Sequence, residues 1–120
     1  THRRAIEYDT AKRRFTIVDV LECAGRHNVR LYWHCAETLQ PLSTEREVRL
    51  ETSRHRVRLI ADRLPDRVLS FRGGTPDEGG WVSRRFGRKE PATTIAWEWT
   101  IAGTTAVRTY IYVEERRASR

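Results

Sequence analysis

Along residues 26–35, "RHNVRLYWHC", Val29, Leu31, Trp33 and Cys35 alternate with Asn28, Arg30, Tyr32 and His34, giving one apolar and one polar face. Successive side chains of an extended strand point to opposite faces, so a period of two predicts a half-buried strand here. The rhythm recurs in "REVRLE", where Val48 and Leu50 oppose Glu47, Arg49 and Glu51, and in "HRVRLIAD", where Val57, Leu59 and Ala61 oppose Arg56 and Arg58. It returns in "TTIAWEWTI", with Ile95, Trp97, Trp99 and Ile101 on the apolar side. In "AVRTYIYV", Val107, Ile111 and Val113 oppose Arg108, Tyr110 and Tyr112. No segment fits helical spacing better.

Turn-forming residues stand where these strands should end: Asp9 to Ala11, Ala24-Gly25, Thr52-Ser53, Pro65-Asp66, Gly73-Gly74, Gly79-Gly80, Pro91 and Ala102-Gly103. About nine short strands at this spacing predict an all-β fold, a sandwich or a barrel. Of the two, an antiparallel β-sandwich is the expectation adopted. "FTIVDVLEC" and "RHNVRLYWHC" are expected to pair as a hairpin turning near Gly25, and 93–102 with 105–114 as a terminal hairpin around "AGTT". "RGGTPDEGG" reads as the one long flexible loop. The charged segment 114–120 lacks alternation and is expected to fray. Pro91, which cannot donate to a ladder, is expected at an edge or where the chain changes sheet.

A chain of 120 residues is long enough for one core, while two domains would each approach the lower limit of independent folding. A single domain spanning 1–120 is therefore expected. The chain contains no methionine and opens directly on a strand-like "HRRAIEYD", which reads as a piece of a longer protein. No apolar run reaches the length of a membrane span, and no leader-like segment precedes the first strand. No membrane partner is expected.

Charge narrows the partners. The net charge is +7 and nearly every cation is arginine, lysine occurring only at Lys12 and Lys89. A guanidinium is a planar fork suited to carboxylate, sulfate or phosphate. A solvated basic face is the plainer explanation, so basicity alone assigns no function. The expected hairpin would set Cys23 and Cys35 roughly 27 Å apart, well beyond the Cα separation of about 7 Å that a disulfide spans.

The order of segments then becomes informative. "HRRAIEYDTAKRRFTIVDVLECAGRHNVRLYWHCAE", followed by "GGWVSRRFGRKEPATTIAWEWTIAG", resembles the C-terminal β-sandwich portion of the heparinase II/III-like polysaccharide lyases. The resemblance rests on an HRR-type opening, a strand with an internal Asp in "IVDVL", a His-rich stretch, and a Gly-Trp-x-Ser-x-x-(Tyr/Phe)-Gly-x-x-x-Pro segment. It implies an upstream helical toroid as partner, a parent enzyme that cleaves acidic polysaccharides by β-elimination, and a periplasmic or secreted location. It also implies that the catalytic groups and the metal ligands of some members lie upstream of residue 1. No catalytic residue, metal ligand or cofactor is therefore expected within this chain.

Elimination across a uronic acid needs a group to neutralise the carboxylate, a base for the C5 proton and an acid for the leaving oxygen. His27 and His34 are seven apart on one strand and point to opposite faces, so they cannot share a metal. His2 and His55 have no partner visible in sequence. His34, beside Tyr32 and Arg30 on the polar face, is the best placed histidine for substrate contact. Trp97 and Trp99 read as core. Trp81, after Gly79-Gly80 and before Arg84 and Arg85, could stack on a sugar while a guanidinium meets its acidic group, although structural closure of the sheet is the favoured reading. The candidate substrate-binding residues are thus Arg30, Tyr32, His34, Trp81, Arg84 and Arg85.

Three functions follow from these features. The first is a noncatalytic domain that supports the toroid and lines one wall of the substrate cleft. The second is an autonomous module binding acidic polysaccharide through arginines and Tyr32, Tyr110 and Tyr112. The third is a nucleic-acid-binding β-barrel that stacks bases on exposed aromatics; no RNP-like signature supports it, and no nucleic-acid partner is expected. Loss of an upstream domain would leave an apolar patch through which the chain forms a homo-oligomer.

Overall fold

The computed structural model describes residues 1–75 and 79–116. Eleven strands account for the regular structure: β1 (His2–Asp9), β2 (Arg14–Leu21), β3 (Arg26–His34), β4 (Leu42–Ser43), β5 (Glu47–Glu51), β6 (His55–Ala61), β7 (Arg67–Arg72), β8 (Trp81–Arg85), β9 (Arg88–Pro91), β10 (Thr93–Ala102) and β11 (Thr105–Glu115). Helix is absent among the described residues. The count exceeds the expected nine because β4 and β9 are too short to show a period of two.

The strands form three antiparallel sheets. Six strands run in the order β1-β2-β11-β6-β5-β4, three in the order β3-β10-β7, and β8 pairs with β9 alone. The six- and three-stranded sheets face each other as a sandwich. Their shared core joins Val48, Leu59, Ala61 and Val107 of the larger sheet to Ile95, Trp97, Trp99 and Ile101 of the smaller. Trp97 meets Trp33 and Trp99 edge-on, with centroids 5.6 and 6.1 Å apart. Such T-shaped contacts align the positive ring edge with the negative face of the neighbour.

Two expected hairpins are not hairpins. β2 pairs with β1 and β11, whereas β3 pairs with β10, so the chain crosses from one sheet to the other at 22–25. β10 and β11 likewise lie in different sheets and do not pair. A Gly-containing turn between two alternating runs serves a hairpin and a crossover equally well, which is why the period of two did not distinguish them. The two crossovers brace each other: the Gly103 amide donates to the Gly25 carbonyl (2.8 Å) and the Cys23 thiol to the Gly103 carbonyl (3.3 Å). Gly25 and Gly103 have φ of 78° and 75°, a region that costs a side-chain-bearing residue energy. Both cysteines are free, and burial raises the Cys35 thiol above its ordinary value.

The first residues of the C-terminal segment are ordered by pairing. Glu114 and Glu115 belong to β11, and the Arg116 amide donates to the Arg54 carbonyl at 2.8 Å, so this part of the segment is tied down. Residues 117–120 lie outside the described residues. In "RGGTPDEGG", the Gly73 amide donates to the Gly80 carbonyl (2.8 Å) and the Gly74 amide to the Gly79 carbonyl (3.1 Å). The flanks of that segment are therefore closed as a ladder, and 76–78 lie outside the described residues. Gly80 sits where a Cβ would come within 2.8 Å of the Arg72 backbone, so only glycine permits this approach.

Candidate functional site

The six sequence-derived candidates fall into two groups on different sheets. Arg30, Tyr32 and His34 project from the outer face of β3, as their alternation requires. Cross-strand partners bring Glu98, Ala96 and Thr94 of β10 beside them. The Arg30 guanidinium donates to Glu98 at 2.7 Å, and Arg67 of β7 approaches the same carboxylate at 3.5 Å. Bonds to Glu98 and Tyr32 raise the Arg30 guanidinium above its ordinary value. Tyr32 and His34 lie with parallel rings, centroids 6.2 Å apart, and His34 Nδ1 is 3.1 Å from the Thr94 hydroxyl. This face is already internally paired, and Arg30 has its carboxylate within the chain.

Trp81, Arg84 and Arg85 belong to the β8–β9 hairpin. Its ladder pairs Trp81 with Pro91 and Arg85 with Arg88, leaving Phe86-Gly87 as a two-residue turn. Gly87 takes φ of 75°, the conformation such a turn demands at its second central position. The Ser83 hydroxyl closes the turn by donating to the carbonyls of Arg85 (2.9 Å) or Arg88 (2.7 Å). Trp81 donates its indole N–H to the Gly74 carbonyl at 2.9 Å, and Lys89 Nζ stands 4.1 Å from its ring centroid. Trp81 therefore closes the base of the hairpin and carries a cation on its face. Pro91 ends β9 and β10 begins at Thr93, so the proline sits at a change of sheet.

Beyond its base, one fork ties this hairpin to the rest of the molecule. Arg84 Nε and Nη2 donate to the two oxygens of Glu37 at 2.7 and 2.8 Å, three residues beyond His34. This bidentate pair is the geometry in which a guanidinium holds a carboxylate best. It lowers the Glu37 carboxyl below its ordinary value and raises Arg84 above its own. Arg84 is thus engaged, whereas Arg85 and Arg88 have no carboxylate within 4 Å among the described residues. Phe86, at the tip between them, is fully exposed.

Sequence reasoning overlooked Phe86, Arg88 and Lys89. The signal was present in "RRFGRK", where cations flank a Phe-Gly turn on both arms. It also left His2 without a partner, which the structure corrects: His2 Nε2 lies 2.7 Å from Asp19 Oδ1, and Arg4 Nε donates to the same oxygen at 2.7 Å. Asp19 is buried, and the register sets Arg4 opposite it. The HRR opening and the Asp of "IVDVL" therefore meet in a latch between β1 and β2. Among the described residues, no group of three His, Cys, Asp or Glu side chains is arranged to hold a metal ion.

A family model described as heparinase II/III-like, C-terminal, matches residues 1–114. No curated protein and no solved structure matches the chain. The matched span holds both the β1–β2 latch and the "GWVSRRFGRKEP" hairpin, the features that carried the resemblance. The chain belongs to the heparinase II/III-like C-terminal family.

Proposed function

We propose that this chain is the noncatalytic β-sandwich support of a heparinase II/III-like polysaccharide lyase, and that its β8–β9 hairpin forms part of the wall against which an acidic polysaccharide lies. One observation carries the reading. Arg85 and Arg88 flank the fully exposed Phe86 at the turn, and Lys89 lies over the Trp81 ring, on a hairpin that the Arg84–Glu37 fork ties to the segment after β3. An aromatic face beside guanidinium groups that have no carboxylate partner among the described residues suits a sugar ring bearing carboxylate or sulfate. The polar face of β3 suits the task less well, since Arg30 is committed to Glu98. A base, an acid and a carboxylate-neutralising cation must converge on one sugar for elimination. The chemistry is therefore assigned to an upstream helical domain of a parent protein.

Retention on immobilised heparin and alginate over a salt series tests this. Replacing Arg85, Arg88 and Lys89 together by alanine should remove most of the retention. It should also lower the salt dependence by about one unit of slope per cation that meets an anionic group. Replacing Arg3, Lys12 and Arg26, cations away from the hairpin, should do much less. Equal losses from both triple variants would sink the hairpin assignment and leave only diffuse basicity. Tight retention of the chain by itself at physiological salt would favour the autonomous carbohydrate-binding module instead.

A further inference from the structure

β1 is the outermost strand of the six-stranded sheet and, among the described residues, pairs on one side only. Its register with β2 runs unbroken from His2 to Asp9, without a bulge or a proline. Thr1 and Glu22 exchange both backbone bonds, at 2.8 and 2.7 Å. Hydrogen-bonded pairs alternate along an antiparallel ladder, so the odd-numbered residues of β1 face β2 with their amides. His2, Arg4, Ile6 and Tyr8 therefore turn their N–H and C=O groups toward the open edge. Such an edge is a template for another strand unless charge or shape guards it.

The side chains here do not repel a second copy of the same strand. A two-fold axis perpendicular to the sheet pairs β1 with itself antiparallel and keeps like faces together. Centring that axis on Arg4 or on Glu7 sets two identical charges opposite each other, which is unfavourable. Centring it on Ile6 puts Arg3 opposite Asp9, whose carboxylate already accepts the Lys12 amide at 3.0 Å. Centring it on Ala5 sets Arg3, which also reaches Glu22 at 3.2 Å, opposite Glu7 twice, in the non-hydrogen-bonded pairs where side chains approach most closely. On the inner face the same register brings Ile6 beside Arg4 of the second copy and Tyr8 beside its His2. Ile6 and Tyr8 are 62% and 53% exposed, being inward-pointing residues that the three-stranded sheet does not cover.

The geometry points to a homodimer joined edge to edge through β1, antiparallel about a two-fold at Ala5, with Arg3–Glu7 pairs on its outer face. The two six-stranded sheets become one, and eight backbone hydrogen bonds replace bonds to water, two from each of the four pairs formed by the outward-facing residues. This goes beyond the supporting role proposed above and does not depend on it.

Sedimentation of the 120-residue chain over a concentration series, with amide hydrogen exchange at each concentration, tests the dimer. A dimer is expected whose formation slows exchange at Arg4, Ile6 and Tyr8 but leaves Arg3, Ala5 and Glu7, already bonded to β2, unchanged. Glu7→Arg should weaken the dimer by about tenfold or more by placing Arg3 against a like charge. The double variant Arg3→Glu with Glu7→Arg should restore it, with circular dichroism of both variants checking that each is folded. A strict monomer throughout, an association that Glu7→Arg leaves unchanged, or a failure of the double variant to restore it would each overturn the proposal.

Discussion

At the scale of single residues, the buried indoles show how polar atoms decide what burial is worth. Trp97 and Trp99 are both fully buried two positions apart on β10. Trp99 donates its N–H to the Arg63 carbonyl at 3.2 Å, while the Trp97 N–H has no hydrogen-bond partner among the described residues. Replacing either by phenylalanine removes similar volume, but only Trp99→Phe also breaks a hydrogen bond. Urea unfolding should therefore find Trp99→Phe costlier than Trp97→Phe by about 1 kcal/mol, the net value of one such bond. Equal costs would show that lost volume alone governs this core. The inward alternation of both tryptophans was legible in the sequence because a period of two needs only neighbours. The Asp19 latch was not: His2 and Arg4 share a face by parity, but the strand opposite that face depends on pairing, which sequence spacing leaves open.

Elements that look alike in sequence are separated by what they pair with. β2 and β3, or β10 and β11, have the alternation and intervening glycine of a hairpin, yet each pair divides between two sheets. Choosing between hairpin and crossover requires knowing where the two apolar faces meet, a property of the whole core. The β8–β9 hairpin was harder still, because residues 81–91 carry little apolar alternation and the pairing follows from the Phe86-Gly87 turn. Its attachment has a pH dependence of definite sign. Arg84 lowers the Glu37 carboxyl, so the fork is fully formed above the ordinary carboxylate value and is lost as pH falls through the lowered one. A carboxyl-carbon NMR titration should place Glu37 below the ordinary glutamate range, and Arg84→Ala should return it there. Titration of Glu37 in the ordinary range with Arg84 present would mean that the fork does not hold the hairpin in solution.

For the molecule as a whole, the unequal sheets and the distribution of charge assign separate duties to its surfaces. The larger sheet extends its inner apolar face beyond the smaller one at Ile6, Tyr8, Phe15 and Val113, all of them exposed, although Val113 belongs by alternation to the core side. About half of the described arginines are met by carboxylates, some across neighbouring strands, as with Arg58 and Glu114 at 3.3 Å or Arg56 and Glu51 at 2.9 Å. Net basicity therefore says less than the cations without such partners among the described residues, and those include Arg85 and Arg88 on the hairpin. On the proposed reading such a surface would bind a polyanion, but binding alone would not move a proton from C5 to a leaving oxygen. His34, the candidate histidine on the polar face of β3, has its Nδ1 against the Thr94 hydroxyl and stands beside an arginine already held by Glu98. The purified chain should accordingly produce no unsaturated-uronate absorbance from heparin, alginate or other uronate polymers, even at concentrations where the hairpin binds them. Sustained turnover abolished by His34→Ala or Tyr32→Phe would relocate the chemistry to β3 and end the supporting-domain reading.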